Sequence, residues 1–267
     1  MSKVPDNRIT ILKDFDPDAT KDYVLYWVIN FKRTSYNFAL QRAVELANKL
    51  SKPLLIFEPL ILDYPMSSLR FHKFFLEGMK DVDNSISKTN AYYYPYVEET
   101  KNASEELLSQ LTAKAAAVVT DDYPTYFVPQ MTAKARGIVN TRYELVDANG
   151  LIPIRIAEKE YVRAHDFRRY MHKNLLDFLV DVPEENPLGD LEVKFDENII
   201  KDIEKKWNKI NFETFNQSDF LDNLNIDKTV KASPIVGGYN MAKKRLDYFL
   251  ENGYNDYATL RSHPSED

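Results

Sequence analysis

The chain has 267 residues, of which 44% are hydrophobic and 28% charged, and it contains no cysteine. This composition is typical of a globular protein with one large or two small domains, and it excludes disulfides, thiolate metal sites and cysteine nucleophiles. The formal net charge of −6 excludes a basic field over the whole chain, so only a local patch could bind nucleic acid. The polar first residues and the lack of a long apolar run predict a cytoplasmic protein without a signal peptide or a membrane partner.

The first predicted elements form a β-α-β unit. Residues 23–30 are almost continuously apolar, residues 35–50 have helical spacing with Ser35 as the expected N-cap, and residues 53–58 are again apolar. Continuous apolar runs are typical of strands buried on both faces, and two parallel strands need a crossover helix. The turn at residues 31–34 contains no glycine, which argues against a dinucleotide-binding turn or a P-loop. We therefore predict a nucleotide-type fold that lacks the usual phosphate cradle.

The alternation of strands and helices continues to residue 147, after a polar lead-in at residues 1–22. It predicts an α/β protein with one doubly wound, mostly parallel sheet of five strands. The strand at residues 91–96 is expected at an edge because Pro95 cannot donate a backbone hydrogen bond. The remaining predicted elements are helices at about 66–86 and 102–113, a strand at 115–120, a helix that ends near Gly137, and a strand at 142–147.

Beyond the sheet, residues 164–179 have a helical pattern that ends before Pro183, and a last helix is expected after Gly237 and Gly238. The intervening residues are polar, with scattered apolar anchors such as Ile199, Ile203, Trp207 and Phe215. We accordingly divide the chain into an α/β domain at 1–182, a connector at 183–233, and the start of another domain at 234–267.

Ligands of doubly wound sheets bind beyond the carboxyl ends of the strands. Here those ends carry Asn30, Glu58, Asp121 with Asp122, and Asp147 to Asn149. The two adjacent aspartates have two interpretations, capping of the next helix or acid/base chemistry, and capping is favoured because the sequence shows no partner for the chemistry. His165 and His172 are seven residues apart, unlike the usual spacing of zinc ligands, so no metal is expected.

Several segments together resemble the DNA photolyase/cryptochrome family, and most closely its class II cyclobutane-dimer photolyases. The opening strand with Arg33, Asn37, Ala39 and Leu40 resembles the family's first strand and helix start. The C-terminal pattern Tyr257-x-x-x-Arg261-x-x-Pro264 resembles the first part of the family's helical FAD-binding domain. Further similar segments are Arg70 to Met79, Ala116 to Asp121, Val146 to Asn149, Tyr161 to Arg168, and Gly237 to Leu250.

The resemblance implies an N-terminal photolyase domain, followed by a connector and the first helix of the FAD-binding domain. It implies that Tyr257 contacts a flavin phosphate, and that an antenna chromophore, a deazaflavin or a folate, lies at the strand ends. The implied antenna contacts are Trp27, Asn30, Arg33, Asn37, Glu58, Asp121 and Asn149. The implied activity is light-dependent splitting of pyrimidine dimers in damaged DNA by electron transfer from reduced FAD. Family members continue into the helical domain, so we expect this chain alone to be inactive, and a monomer is the expected state.

Three alternative functions remain open at this stage, and one of them is a degenerate half-protein with only an interaction role. A cryptochrome-like photosensor would keep the flavin but would signal instead of repairing DNA. A stand-alone nucleotide-binding α/β module would bind nucleotide without light chemistry, and the Tyr257 to Pro264 segment argues against it. The identity of the antenna and the type of lesion are left open.

Overall fold

The computed structural model describes residues 3–62, 64–157, 159–214 and 217–263. Its centre is one six-stranded sheet with the order β1-β6-β5-β2-β3-β4. Strands β2 to β6 pair in parallel, and β1 pairs antiparallel with β6. The strands are β1 (Ile9–Lys13), β2 (Tyr23–Trp27), β3 (Leu54–Leu60), β4 (Tyr92–Val97), β5 (Ala115–Asp121) and β6 (Arg142–Val146).

The doubly wound α/β class is confirmed, but the sheet has six strands rather than five. The additional strand, β1, lies inside the segment that we predicted to be a polar lead-in. Every residue of β1 is at least partly exposed, and Ile11 is 45% exposed. An antiparallel edge strand with one face toward water needs no continuous apolar run, so β1 lacks the signal that marks the central strands.

Helices cover both faces of the sheet. Alternate residues of β2 belong to opposite apolar clusters, so that Val24 and Tyr26 pack toward the helix at Phe38–Leu50 whereas Leu25 and Trp27 pack toward the helix at Ala103–Ala113. This explains why the strand is apolar at every position. The helices are α1 (Phe38–Leu50), α2 (Leu69–Ile86), α3 (Ala103–Ala113), α4 (Val128–Ala135), α5 (Ala164–Phe178), α6 (Lys201–Glu204), α7 (Gln217–Asn223), α8 (Tyr239–Asn252) and α9 (Tyr257–Leu260).

Helix α1 begins later than predicted. Its N-cap is Asn37, not Ser35, and the Asn37 side chain accepts hydrogen bonds from the backbone N–H groups of Ala39 and Leu40 at 3.0 and 3.2 Å. Serine and asparagine are comparable N-caps, so the choice between them depends on the path of the preceding loop.

The segment predicted as a connector packs along the edge of the sheet at β4, which is the terminal strand as predicted. The backbone N–H of Phe195 donates to the carbonyl of Asn90, and that of Ile210 donates to Pro95. The buried side chains of this segment join the clusters on both faces: Leu188 and Leu191 on one, and Phe195, Ile200, Ile203 and Trp207 on the other. The predicted anchors Ile203 and Trp207 are thus buried, whereas Phe215 lies outside the described residues. The domain division itself stays a prediction.

Helix α8 approaches α2 through two glycines. The backbone N–H of Gly237 donates to Glu77 Oε2 at 2.8 Å, and that of Asn240 donates to Asp81 Oδ2 at 3.0 Å. A Cβ atom on Gly237 would overlap the carbonyl oxygen of Phe74. Each residue of α5 and α8 is at least partly exposed. Within the described ranges, no helix is both long and apolar enough to cross a membrane.

Candidate functional site

A cleft opens beyond the carboxyl ends of β2, β3 and β5. It consists of a wide lobe of about 540 Å³ and a narrow lobe of about 280 Å³. We call the two lobes together the strand-end cleft. Strand order reverses between β2 and β5, and that position is where doubly wound sheets bind ligands. The lobes share the lining residues Trp27, Pro59, Ile61, Tyr64, Pro65, Phe127 and Met131.

The two lobes differ in character. The narrow lobe is mainly aromatic and apolar, with Phe71, Phe75 and Tyr126 in its wall. The wide lobe adds a polar rim that consists of Glu98, Asn102, Ser104, Glu105, Glu106, Gln130 and Lys134. Largely apolar pockets of several hundred Å³ with a few polar groups are typical of small-molecule sites.

Trp27, one of the predicted antenna contacts, lines both lobes. It ends β2, and its side chain is only 3% exposed. Its indole Nε1 is buried without a hydrogen-bond partner among the described residues, and so is Ser104 Oγ in the wide lobe. A buried donor without a partner costs about 1–3 kcal/mol, so the lining has hydrogen-bonding capacity that the fold does not use.

Asp121 does not line the cleft. Its buried carboxylate accepts hydrogen bonds from Tyr26 Oη at 2.7 Å and from the backbone N–H groups of Ile29, Asn30 and Phe31 at 2.9, 2.7 and 2.9 Å. Burial raises the pKa of Asp121, and the four donors oppose that shift. The carboxylate therefore fixes the loop after β2, and the structure does not bring it to a ligand.

The favoured capping interpretation of the aspartate pair is also wrong. The N-cap of α4 is Phe127. Asp122 instead receives two hydrogen bonds from the Arg155 guanidinium, at 2.7 and 2.9 Å. The pair thus serves two different loops.

Asn37 and Arg33 build the same loop and are absent from the described lining of both lobes. The fully buried Asn37 amide donates to Tyr26 Oη at 3.1 Å and to the carbonyls of Phe31 and Arg33 at 3.2 and 3.0 Å. The Arg33 guanidinium donates to the carbonyl of Tyr36 at 3.2 Å. These contacts position α1 rather than form a ligand contact.

Glu58 lies just behind the cleft wall. Its carboxylate accepts a hydrogen bond from Tyr93 Oη at 2.6 Å and forms a salt bridge with Lys32 at 2.8 Å. Lys32 itself lines the narrow lobe, as does the exposed Asn30. Burial, together with the nearby Glu58 carboxylate, raises the pKa of Tyr93 well above its usual value. Glu58 therefore reaches the cleft through its salt bridge with Lys32 rather than as a lining residue itself.

Asn149 and Tyr257 lie elsewhere. The Asn149 amide donates to the carbonyl of Asp122 at 2.6 Å and to Asp147 Oδ1 at 2.8 Å, which closes the loop after β6. Tyr257 begins α9, is 52% exposed, and meets Phe249 edge-on at 5.6 Å between ring centroids. Pro264 of the same predicted motif lies outside the described residues.

Sequence reasoning missed the main aromatic walls of the cleft, Tyr64, Phe71, Phe75 and Phe127. Tyr64 and Phe127 belong to the loops that follow β3 and β5. Aromatic residues in loops after parallel strands are the signal that could have found them, since such loops border the ligand-binding edge. Across the part of the chain that the structure describes, no group of three or more metal-ligating side chains comes together.

Comparison with curated proteins identifies two relatives of the same name. The chain is 30% identical over 174 residues to the deoxyribodipyrimidine photo-lyase of Methanothermobacter thermautotrophicus, an alignment that covers 65% of this chain and 38% of that protein. It is 25% identical over 281 residues to the enzyme of the same name from Arabidopsis thaliana, which covers 98% of this chain and 52% of that protein. These similarities support membership of the DNA photolyase family. It spans 38% and 52% of the length of these two relatives.

Solved photolyase structures share the fold. An archaeal photolyase from Sulfolobus tokodaii, solved with two FAD molecules and implying a novel light-harvesting cofactor, matches with a TM-score of 0.55 and 15% identity over 84% of this chain and 45% of that one. A class III photolyase from Agrobacterium tumefaciens matches with a TM-score of 0.55 and 16% identity over 86% of this chain and 45% of that one. No protein-family model matches the chain. The predicted family is confirmed, whereas the class II subgroup stays a prediction.

Proposed function

We propose that this chain forms the light-collecting part of a DNA photolyase and that the strand-end cleft holds its antenna chromophore. The observation that carries the proposal is a largely apolar, aromatic-lined cleft at the point where strand order reverses, in a chain of this family. In the complete protein, bound FAD supplies the light-driven electron transfer that splits a pyrimidine dimer flipped out of damaged DNA.

The cleft fits a planar chromophore. Trp27, Tyr64 and Phe127 offer aromatic surfaces to a flat ring, and Met131 can adapt to its outline. A volume of about 540 Å³ in the wide lobe lies within the usual range for small-molecule sites. The unpartnered Trp27 Nε1 and Ser104 Oγ are donors that a modest rearrangement could offer to acceptor atoms on the ring edge.

The proposed FAD contact, Tyr257, is a different case. The ring is half exposed on a four-residue helix, and it is absent from the lining of both lobes of the cleft. We propose that Tyr257 reaches the flavin only in a protein that includes the helical FAD-binding domain, so that this chain by itself neither retains FAD nor repairs DNA. A flavin spectrum that survives purification of this chain, with light-dependent reversal of dimers, would refute that part of the proposal.

The chromophore cleft can be tested directly with the purified chain. Titration with 5-deazariboflavin should show saturable binding, followed by the anisotropy of the ring fluorescence. Gln130 is exposed and lines the wide lobe, so Gln130→Trp should obstruct the cleft and weaken binding at least tenfold. Gln110 is exposed on α3 outside the lining, so Gln110→Trp is the matched control and should bind like the wild type. Equal affinity in the two variants would reject the cleft as the site.

The Tyr257 assignment needs a longer protein that contains the flavin-binding portion. Tyr257→Phe should lower the FAD occupancy of the purified protein, because the hydroxyl that the resemblance assigns to a flavin phosphate is removed. Tyr254→Phe, on a tyrosine three residues earlier that is also more than half exposed, should leave the occupancy unchanged. Identical flavin-to-protein absorbance ratios in both variants would count against Tyr257.

A further inference from the structure

The first backbone anion site near the cleft is filled by the chain itself. In nucleotide-binding folds, the backbone N–H groups that follow the first strand of the β-α-β unit, here β2, hold phosphate. Here three consecutive N–H groups, those of Ile29, Asn30 and Phe31, all point to Asp121 Oδ2 at 2.7–2.9 Å. The carboxylate oxygen thus takes the place of a phosphate oxygen, and these three donors are already engaged within the chain.

A second internal carboxylate occupies the start of α3. Glu98 is buried, and its Oε1 accepts a hydrogen bond from the backbone N–H of Ser104 at 3.1 Å. Its other oxygen, Oε2, accepts from the backbone N–H of Leu62 at 3.0 Å. Because the Glu98 carboxylate already lies at the N-terminus of α3, it offsets the partial positive charge of that helix end. Pro129 removes one further N–H donor from the first turn of α4, beside the wide lobe.

The side-chain charges around the cleft lead to the same result. Among the described residues of the lining, three carboxylates, Glu98, Glu105 and Glu106, stand against two lysines, a net charge of −1. Both lysines are already paired: Lys134 with Glu105 at 2.6 Å, and Lys32 with the buried Glu58 at 2.8 Å. A phosphate in the cleft would therefore meet carboxylates without an uncommitted cation to offset the repulsion.

We infer that the strand-end cleft selects a planar aromatic ring whose side chain is uncharged, and that it discriminates against the same ring carrying phosphate or carboxylate groups. The inference rests on the proposed chromophore function of the cleft. It separates the two antenna classes named above, because a folate carries a glutamate tail whereas a deazaflavin can carry a neutral polyol. The cleft favours the neutral deazaflavin type.

Riboflavin and FMN test this directly, since they share one ring system and differ by a phosphate. The chain has two tryptophans, so Trp207→Phe leaves Trp27 in the cleft wall as the single reporter of binding. Quenching of its emission should give a dissociation constant for FMN at least tenfold above that for riboflavin, a difference of about 1.4 kcal/mol. Added salt should lower the ratio of the two dissociation constants, because it screens the repulsion between the phosphate and the rim carboxylates.

Glu105→Gln in the same background removes a rim carboxylate and frees Lys134. FMN should then bind about fivefold more tightly, so that the ratio of the FMN to the riboflavin dissociation constant falls. Glu251→Gln makes the same charge change on α8, away from the cleft lining, and should alter neither constant. FMN binding as tightly as riboflavin in the unaltered rim would overturn the charge selection and leave the cleft itself standing. Failure of both flavins to quench Trp27 would reject the chromophore cleft and this inference together.

Discussion

Replacement of Asp121 is the most demanding test of how the cleft is supported. Its carboxylate is fully buried and accepts four hydrogen bonds, three of them from consecutive backbone N–H groups. In Asp121→Ala, the Tyr26 hydroxyl still accepts a hydrogen bond from Asn37 Nδ2, but its own buried O–H loses its acceptor, whereas the exposed Asn30 can turn to water. The N–H groups of Ile29 and Phe31 are left without an acceptor, each at about 1–3 kcal/mol. With the cavity included, we expect a loss of about 3–5 kcal/mol in the free energy of unfolding.

Urea unfolding followed by circular dichroism at neutral pH measures this loss. For a chain of this size the expected change corresponds to a fall in melting temperature of about 10 °C. Asp121→Asn keeps one oxygen acceptor and should lose roughly half as much stability. Asp16→Ala is the control, because Asp16 is an exposed aspartate in the loop before β2, and it should stay within about 0.5 kcal/mol of the wild type.

The loop that Asp121 holds also forms part of the narrow lobe, through Ile29 and Asn30. Asp121→Asn should therefore weaken deazaflavin binding at a temperature where the variant is still folded, and Asp16→Ala should not. If Asp121→Ala unfolds within about 1 kcal/mol of the wild type, the three N–H contacts do not stabilise the loop as described.

Three further substitutions test the packing outside the cleft. Gly237→Ala should separate α8 from α2 and speed proteolysis near Gly237 and Gly238, because the new Cβ would overlap a backbone carbonyl of α2. The control Gly150→Ala, whose Cβ would have nothing within 4 Å, should leave the rate of proteolysis unchanged. Phe195→Ala should lower the free energy of unfolding in urea by about 3–5 kcal/mol, because the Phe195 ring stacks on Tyr92 of β4. The control Lys194→Ala, at an exposed position, should leave it unchanged. An unchanged stability in Phe195→Ala would mean that the segment around Phe195 does not stabilise the sheet. Burial alone would raise the pKa of Glu144, but hydrogen bonds and charges from Arg42 on α1 and Arg142 on β6 outweigh burial and lower that pKa. The difference in the free energy of unfolding between the wild type and Glu144→Gln should therefore be largest at neutral pH and should shrink as the pH falls below about 4. A difference that does not change with pH would contradict this.

The sequence predicted the central architecture well because buried parallel strands leave a strong signal. The run at residues 23–30 and the glycine-free turn after it identified the doubly wound sheet and the missing phosphate cradle. The structure supplies the physical reason for the turn, since Asp121 lies where phosphate would lie. Strand β1 escaped prediction because a half-exposed edge strand has no such signal.

The site was predicted less well than the sheet. Sheet topology predicts which residues follow each strand but not where their side chains point. Trp27 and Asn30 line the cleft, whereas Asn37, Asp121 and Asn149 turn inward to hold loops. The aromatic walls come from loops whose paths depend on tertiary packing, and short-range patterns carry little information about such paths.

The edge of β4 has a practical consequence for anyone who dissects this protein. Four tyrosines and a proline form most of that strand, and Phe195, Trp207 and Ile210 lie along it. A fragment cut at residue 182 would expose this tyrosine-rich strand, and a bare flat edge recruits other chains. The shortest piece that keeps this edge of β4 covered therefore extends at least through Ile210.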